Sequence, residues 1–132
     1  MTLTVQVVTP AGVVWQAIAQ EVILPSTTGH LGVLSGHIPL MTFIDTGVMR
    51  VRTGQEWMAI AVMNGFAQIG ADEVTVIVNG AECGNQIDRQ VAQADVDAAT
   101  EQVTQAESRR DRIKADQALK RAQVRLKATQ ET

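Results

Sequence analysis

Residues 87–132 read IDRQVAQADVDAATEQVTQAESRRDRIKADQALKRAQVRLKATQET, a stretch with no glycine, no proline and no aromatic side chain. Directly before it, glycines recur every few residues. A long run free of backbone breakers reads as helix, and its onset divides the chain into two modules of different kinds. Asp88 is placed to cap the first helix, because its carboxylate can accept from the exposed N–H groups of the opening turn. Behind it Val96, Ala99, Val103 and Ala106 step by three and four residues, a narrow apolar stripe. Ser108-Arg109-Arg110-Asp111 fits a capping box, so a second helix is expected to begin there. On that helix Ala115, Leu119, Ala122 and Leu126 form one stripe, with Ala118 beside it. Arg110, Lys114, Arg121 and Arg125 gather on one flank and Arg109, Lys120 and Lys127 form a second basic line, with Ile113 and Val124 between. The expected hairpin therefore has a small apolar face for its sister helix and a basic face with an aliphatic centre, suited to an acidic partner. Its alanine seam buries little area, and Ala106–Asp111 holds no glycine or proline to forbid a continuous helix. The tail is expected to exist either folded or as one extended rod.

Working back from this tail, the first 80 residues follow a period of two. Leu3, Val5 and Val7 alternate with Thr2, Thr4 and Gln6; Val74, Val76 and Val78 alternate with Thr75 and Ile77. Arg50 and Arg52 are expected on one face of a strand and Met49 and Val51 on the other. Trp57 to Met63 is apolar throughout, which places it between two buried layers or at a seam between sheets. Turn signals separate these runs: Pro10-Ala11-Gly12, Asp45-Thr46-Gly47, Thr53-Gly54, Asn64-Gly65, Gly70-Ala71-Asp72 and Asn79-Gly80. Short strands with frequent turns indicate an all-β sandwich or flattened barrel, with Asn79 to Asn85 as the linker. The class is α+β in two modules, an all-β domain over residues 1–84 and a two-helix hairpin over residues 85–132.

Charge divides along the same line. Residues 1–86 carry two basic side chains, Arg50 and Arg52, against six acidic ones, whereas residues 108–128 carry eight basic against two acidic. The lone Cys83 excludes an internal disulfide, and no charged-then-apolar leader or bilayer-length apolar run is present, so a soluble or peripheral protein is expected. Catalytic constellations are scarce. His30 and His37 have no Asp, Glu or Cys set at metal spacing, so no metal is expected. Gly29, Gly32 and Gly36 lack the Gly-Lys-Ser/Thr ending of a phosphate loop. The chain has no Tyr, and Trp15, Phe43, Trp57 and Phe66 all lie in the β module, so base-stacking platforms beside the basic helix are missing and nucleic acid is not expected as a partner. This is not the composition of an enzyme.

Residues 24–40, LPSTTGHLGVLSGHIPL, resemble the signature loop of the ε subunit of F-type ATP synthase. Thr46 to Val51, Met63 to Ala67 and Glu73 to Val78 resemble that family in order and spacing, as do Ala81-Glu82 before Ile87-Asp88, Leu119 to Ala122, and Arg125-Leu126. The wording of the Pro-Ser-Thr-Thr-Gly segment and the short tail are most similar to cyanobacterial and chloroplast members.

The resemblance implies a β-sandwich of about ten strands on a rotor stalk, coupling proton-driven rotation to ATP synthesis. It implies a peripheral position on the cytoplasmic or stromal face of an energy-coupling membrane, thylakoid in particular, without membrane insertion. Thr28, Gly29, His30, Leu31 and Gly32 would face the ring of c subunits, and His37 and Thr42 would lie near the γ subunit. Arg109, Arg110, Arg112, Lys114, Lys120, Arg121 and Arg125 would meet an acidic segment of the β subunit and oppose ATP hydrolysis. Some bacterial members hold ATP at the hairpin. Glu82, Ile87, Asp88, Ala92, Arg121 and Arg125 match that motif, but Val91 and Ala98 stand where arginines occur, which removes forked cationic donors from a polyanion site. ATP binding is therefore expected to be weak or absent and no cofactor is expected. A small nucleotide-sensing module is the alternative reading.

Overall fold

A computed structural model describes residues 1–131, so Thr132, the last residue of the expected hairpin module, lies outside the described residues. Eight strands are present among them: β1 (Leu3–Thr9), β2 (Gly12–Ala19), β3 (Glu21–Ser26), β4 (Gly29–Leu34), β5 (Leu40–Ile44), β6 (Gly47–Thr53), β7 (Glu56–Gly70) and β8 (Glu73–Cys83). A short 3₁₀ turn, Gly84–Gln86, leads to helices α1 (Arg89–Gln105) and α2 (Arg109–Gln130).

The strands form one ladder in the order β2-β1-β8-β7-β5-β3-β4, with β6 pairing both β3 and β7. β5 pairs with the second half of β7 and β6 with the first half, so the Asp45–Thr46 corner turns the chain along one long partner. The ladder closes on itself as a sandwich. Val5, Val7, Val22, Leu24, Val33, Met49, Val51, Val74 and Val76 are fully buried between its layers. Branched aliphatics alternating with polar side chains fill such an interior, because every second residue of a strand faces it.

Two of the expected turns are instead strand interiors. Asn64-Gly65 lies within β7 and Asn79-Gly80 within β8, and the two strands keep one register across them, with Met63 opposite Gly80 and Gly65 opposite Val78. At this point the ribbon turns over. Before it Met58, Ile60 and Val62 point to the core; after it the inward positions are Ala67 and Ile69. A Cβ on Gly65 would collide with the Ile77 carbonyl oxygen and crowd the Val78 Cα at 2.7 Å, both backbone atoms, so the crossing needs glycine. The Asn79 side-chain amide donates to the Asn64 carbonyl at 3.0 Å, and the Asn64 N–H donates to Thr46 Oγ1 at 3.1 Å. The count is eight strands rather than about ten, because these two bend through both layers without breaking.

Ala59 and Ala61, on the outer face of β7, are buried too, but beneath the helices. They form a second cluster with Val48, Ile87, Ala92, Val124 and Ala128. This explains the apolar run from Met58 to Val62: Met58, Ile60 and Val62 fill the sandwich and Ala59 and Ala61 seat α2, while Trp57 stays 40% exposed beyond the helices. Asp88 caps α1 through Oδ1, accepting from Gln90 N at 2.9 Å and Val91 N at 3.2 Å. Ser108 Oγ caps α2 by accepting from Asp111 N at 3.0 Å. Between them Ala106 leaves helical geometry with ψ 123° and Ser108 with ψ 157°. The tail is folded as a hairpin, and α2 is the layer against the sandwich while α1 packs chiefly on α2.

Candidate functional site

The helices meet the sandwich through charge around a small apolar patch. Arg125 is held by Glu82 with Nε–Oε1 at 3.0 Å and a second nitrogen on Oε2 at 3.2 Å, a forked pairing. Its third nitrogen donates to Asp95 Oδ2 on α1 at 3.0 Å. Glu82 is opposite Ala61 in the ladder and Ala61 opposite Val48, so the carboxylate stands on the rim of the patch that receives Val124. The hydrogen bond to Glu82, helped by the Glu82 and Asp95 charges and only partly opposed by burial, pushes the Arg125 pKa up from its already high ordinary value. Lys120 Nζ donates to Asp45 Oδ1 at 2.9 Å at the strand corner. At the far end of α2, Arg50 and Glu131 approach to 3.5 Å, a charge contact without a hydrogen bond.

The residues expected at the ring-facing loop form a tight hairpin. Ser26 pairs with Gly29 across a two-residue turn, Gly29 takes φ +122°, and Ser26 Oγ accepts from the Thr28 N–H at 3.2 Å. Thr28, Gly29, His30 and Gly32 are exposed, while Leu31 packs against the core. Beside this tip a groove of about 310 Å³ runs to the tail, bounded by Ser26, His30, Asp45, Val124 and Lys127. His37 is half-buried, with Nδ1 2.7 Å from the Ile38 carbonyl. Thr42 pairs with Ala67, a core residue, so it shares the inward face of β5 while Met41 and Phe43 stand outward.

That outward face carries a feature not read from the sequence. Phe43 is opposite Phe66, Phe66 opposite Ile77, Ile77 opposite Val8, and Val8 opposite Val13. Five apolar side chains from five strands thus form one row across the sheet, on the side away from the core and the helices. Phe43 is 71% exposed and Val13 53%. The next row, Gln16, Gln6, Thr75 and Gln68, is polar until it reaches the exposed Met41 on β5, which extends the apolar surface beside Phe43. A bare apolar band with a polar border is the composition of a protein-docking surface.

Among the described residues no three His, Cys, Asp or Glu side chains lie together as a metal site, and no helix is long and apolar enough to cross a membrane. Cys83 is buried at the end of β8, and burial pushes its thiol pKa up, away from nucleophilic use.

Residues 2–84 match the family described as ATP synthase, Delta/Epsilon chain, beta-sandwich domain. The ATP synthase epsilon chain of a Cyanothece species is 56% identical over 131 residues, covering 97% of this chain and 95% of that one. The same chain of Thermosynechococcus vestitus is 53% identical over 131 residues, with 97% and 95% covered. The chloroplastic epsilon chain of Pyropia yezoensis is 47% identical over 128 residues, with 97% and 96% covered.

The chain belongs to the ATP synthase epsilon-chain family.

It is thus a non-catalytic subunit of the rotary F-type ATP synthase. The fold agrees with a chain of the Euglena gracilis mitochondrial ATP synthase, in a structure of its OSCP, F1 and c-ring, at a TM-score of 0.82 and 19% identity over 98% of this chain and 81% of that one. Within the epsilon-chain frame the sequence-derived positions separate into groups. Glu82, Arg125, Ala92 and Ile87 come together at the helix–sandwich seam, with Arg125 bound to Glu82. Asp88 is used as a helix cap. Arg109, Arg110, Arg112, Lys114 and Arg121 are exposed and make no ion pair among the described residues, whereas Lys120 and Arg125 are engaged. Asp45 and Asp95, which engage them, are absent from the sequence-derived set. Their only signal is a position opposite a basic helix, which the sequence does not display before the fold is known.

Proposed function

We propose that this epsilon chain couples ring rotation to the catalytic head as part of the rotor, and that its helical tail restrains ATP hydrolysis. The observation that carries the reading is the unlike treatment of the two outer faces of one sandwich. One is covered by a basic helix seated on small side chains; the other is a bare apolar row. The row Phe43, Phe66, Ile77, Val8 and Val13 is the seat for the γ subunit, with His37 at its border. The hairpin tip Thr28–Gly32 meets the c-subunit ring. Arg109, Arg110, Arg112, Lys114 and Arg121, together with Lys120 and Arg125 once released, meet an acidic segment of the β subunit. Many such contacts sum and steer although each exposed pair is weak. Similarity to cyanobacterial and chloroplastic chains supports a thylakoid setting, peripheral on the stromal or cytoplasmic side. ATP binds weakly or not at all: Val91 offers no guanidinium, and Arg125 is satisfied by two carboxylates.

The test is binding to, and ATP hydrolysis by, the matching α/β/γ complex, with the full chain, Phe43→Asp, and a chain ending at Gln86. The full chain binds and slows hydrolysis. Phe43→Asp weakens binding by about tenfold or more, the effect of replacing the most exposed aromatic anchor of the row with a charge. The shortened chain binds without inhibiting. Equal binding of Phe43→Asp would remove the apolar row from the docking role, and equal inhibition by a shortened chain that binds would remove the tail from regulation.

A further inference from the structure

Two of the cations assigned to an outside acidic partner are already occupied within the molecule. Lys120 holds Asp45 at 2.9 Å, and Arg125 holds Glu82 by two nitrogens and Asp95 by a third. The three carboxylates come from three places: the corner between β5 and β6, the end of β8, and α1. Arg125 therefore ties the sandwich, α1 and α2 into one network. The apolar contact beneath it is thin. Val124 and Ala128 cluster with Ala59, Ala61, Val48, Ile87 and Ala92, and Leu126 packs half-buried against them, so four of the seven buried side chains are alanines. Small side chains bury little area, which leaves the charged contacts an unusually large share in holding α2 down. The Arg125 side chain is 26% exposed and its partners Glu82 and Asp95 are 45% and 49% exposed, so the strength of the contact comes from the fork and the second carboxylate more than from burial.

We propose that Asp45, Glu82 and Asp95 form an internal substitute for the acidic partner, an autoinhibitory clasp that Lys120 and Arg125 must leave before they can engage another polypeptide. The proposal rests on reading the tail as regulatory. A side chain has one set of donors, so docking on the sandwich and contact with the catalytic head compete for the same two cations. An outside acidic segment gains only the difference between its own attraction and that of the clasp. The charge asymmetry of the chain thereby sets the resting position of the tail, and the acidic character of the β module has a use: it retains the helix until a stronger acidic surface is presented.

The experiment uses the full chain and two readouts. In the first, hydrogen exchange follows the α2 amides Ala122–Ala128 against the β7 amides Ile60–Val62. Glu82→Gln combined with Asp95→Asn lowers α2 protection by about 5- to 30-fold, the population change that one or two kcal/mol produces, and leaves β7 unchanged. Raising salt from about 0.05 M to about 0.5 M lowers α2 protection in the natural chain and lowers it less in that variant, which keeps only the Lys120–Asp45 pair of the clasp. Should the double variant lose β7 protection as well, Asp95→Asn alone decides, because Asp95 lies on α1 outside the sandwich. Unchanged α2 protection in these variants overturns the clasp. The second readout is inhibition of the α/β/γ complex. Glu82→Gln/Asp95→Asn inhibits at lower concentration than the natural chain, while Arg125→Gln frees the tail and inhibits less. A natural chain that does not inhibit overturns the regulatory reading alone, because the exchange result still judges the clasp.

Discussion

The two modules are held together by opposite means. The sandwich interior is built from Leu24, Val22, Val5, Met49 and Ile60, all with no exposed surface, drawn from strands far apart in sequence. The hairpin is held by alanines, two end caps and a handful of ion pairs around Val124, Ile87 and the half-buried Leu126. Large buried aliphatics make a unit that does not open on its own, because each one lost leaves a cavity. Small seam residues with charged borders make a unit that can leave at modest cost. One chain thus combines a permanent support with a detachable part, and the difference is written in side-chain size.

Substitutions can break or sharpen this contrast. The largest expected effect is in the sandwich: Leu24→Ala costs about 2–5 kcal/mol, read as a lower midpoint of thermal or urea unfolding, and carries the hairpin with it. Next is Val124→Ser, which removes about 2 kcal/mol of docking. It exposes α2 to exchange or proteolysis while the unfolding midpoint of the sandwich holds; a sandwich that weakens in parallel would mean the modules are one cooperative unit. Ser108→Ala removes the acceptor at the start of α2 and costs about 1 kcal/mol locally. Faster exchange at Arg110 and Asp111 reads it, and the change favours the extended rod over the hairpin.

The smallest effect is alkaline. Burial raises the Cys83 thiol above its ordinary value of 9.0, so the folded state holds its proton more tightly than the unfolded state. The sandwich therefore keeps this contribution in full below the ordinary value and loses it as pH rises through the raised one. Its midpoint falls as pH rises above that ordinary value, and Cys83→Ala flattens that slope. Arg125 is also raised and stays charged across the range, so the clasp loses nothing there through its own titration.

Much of this arrangement is legible in the sequence where the signal is local. The alternation of Leu3, Val5 and Val7, the caps at Asp88 and Ser108 and the shared face of Arg50 and Arg52 depend only on near neighbours. Asn64-Gly65 and Asn79-Gly80 mislead for the same reason. An Asn-Gly pair is a strong hairpin signal by itself, and only the pairing of β7 with β8 reveals two such steps side by side at a crossing. The apolar row is hidden further still. Ile77 stands alone among polar outward neighbours on its own strand, and it becomes part of a surface only when register brings Val8, Phe66 and Phe43 alongside. The clasp is the extreme case, since Asp45 and Asp95 are ordinary surface acids until α2 lies between them.

The pairing of β1 with β8 has a further consequence, for the order in which the molecule is made. The two strands run parallel, Val5 beside Val74 and Val7 beside Val76, so the first strand synthesised is zipped into place by the last. A nascent chain cannot close its sandwich until Val78 has left the ribosome, and Val5 and Val7 wait uncovered until then. The hairpin, whose contacts are mostly between neighbours in sequence, then follows within a few dozen residues of synthesis and finds its acidic seat already assembled.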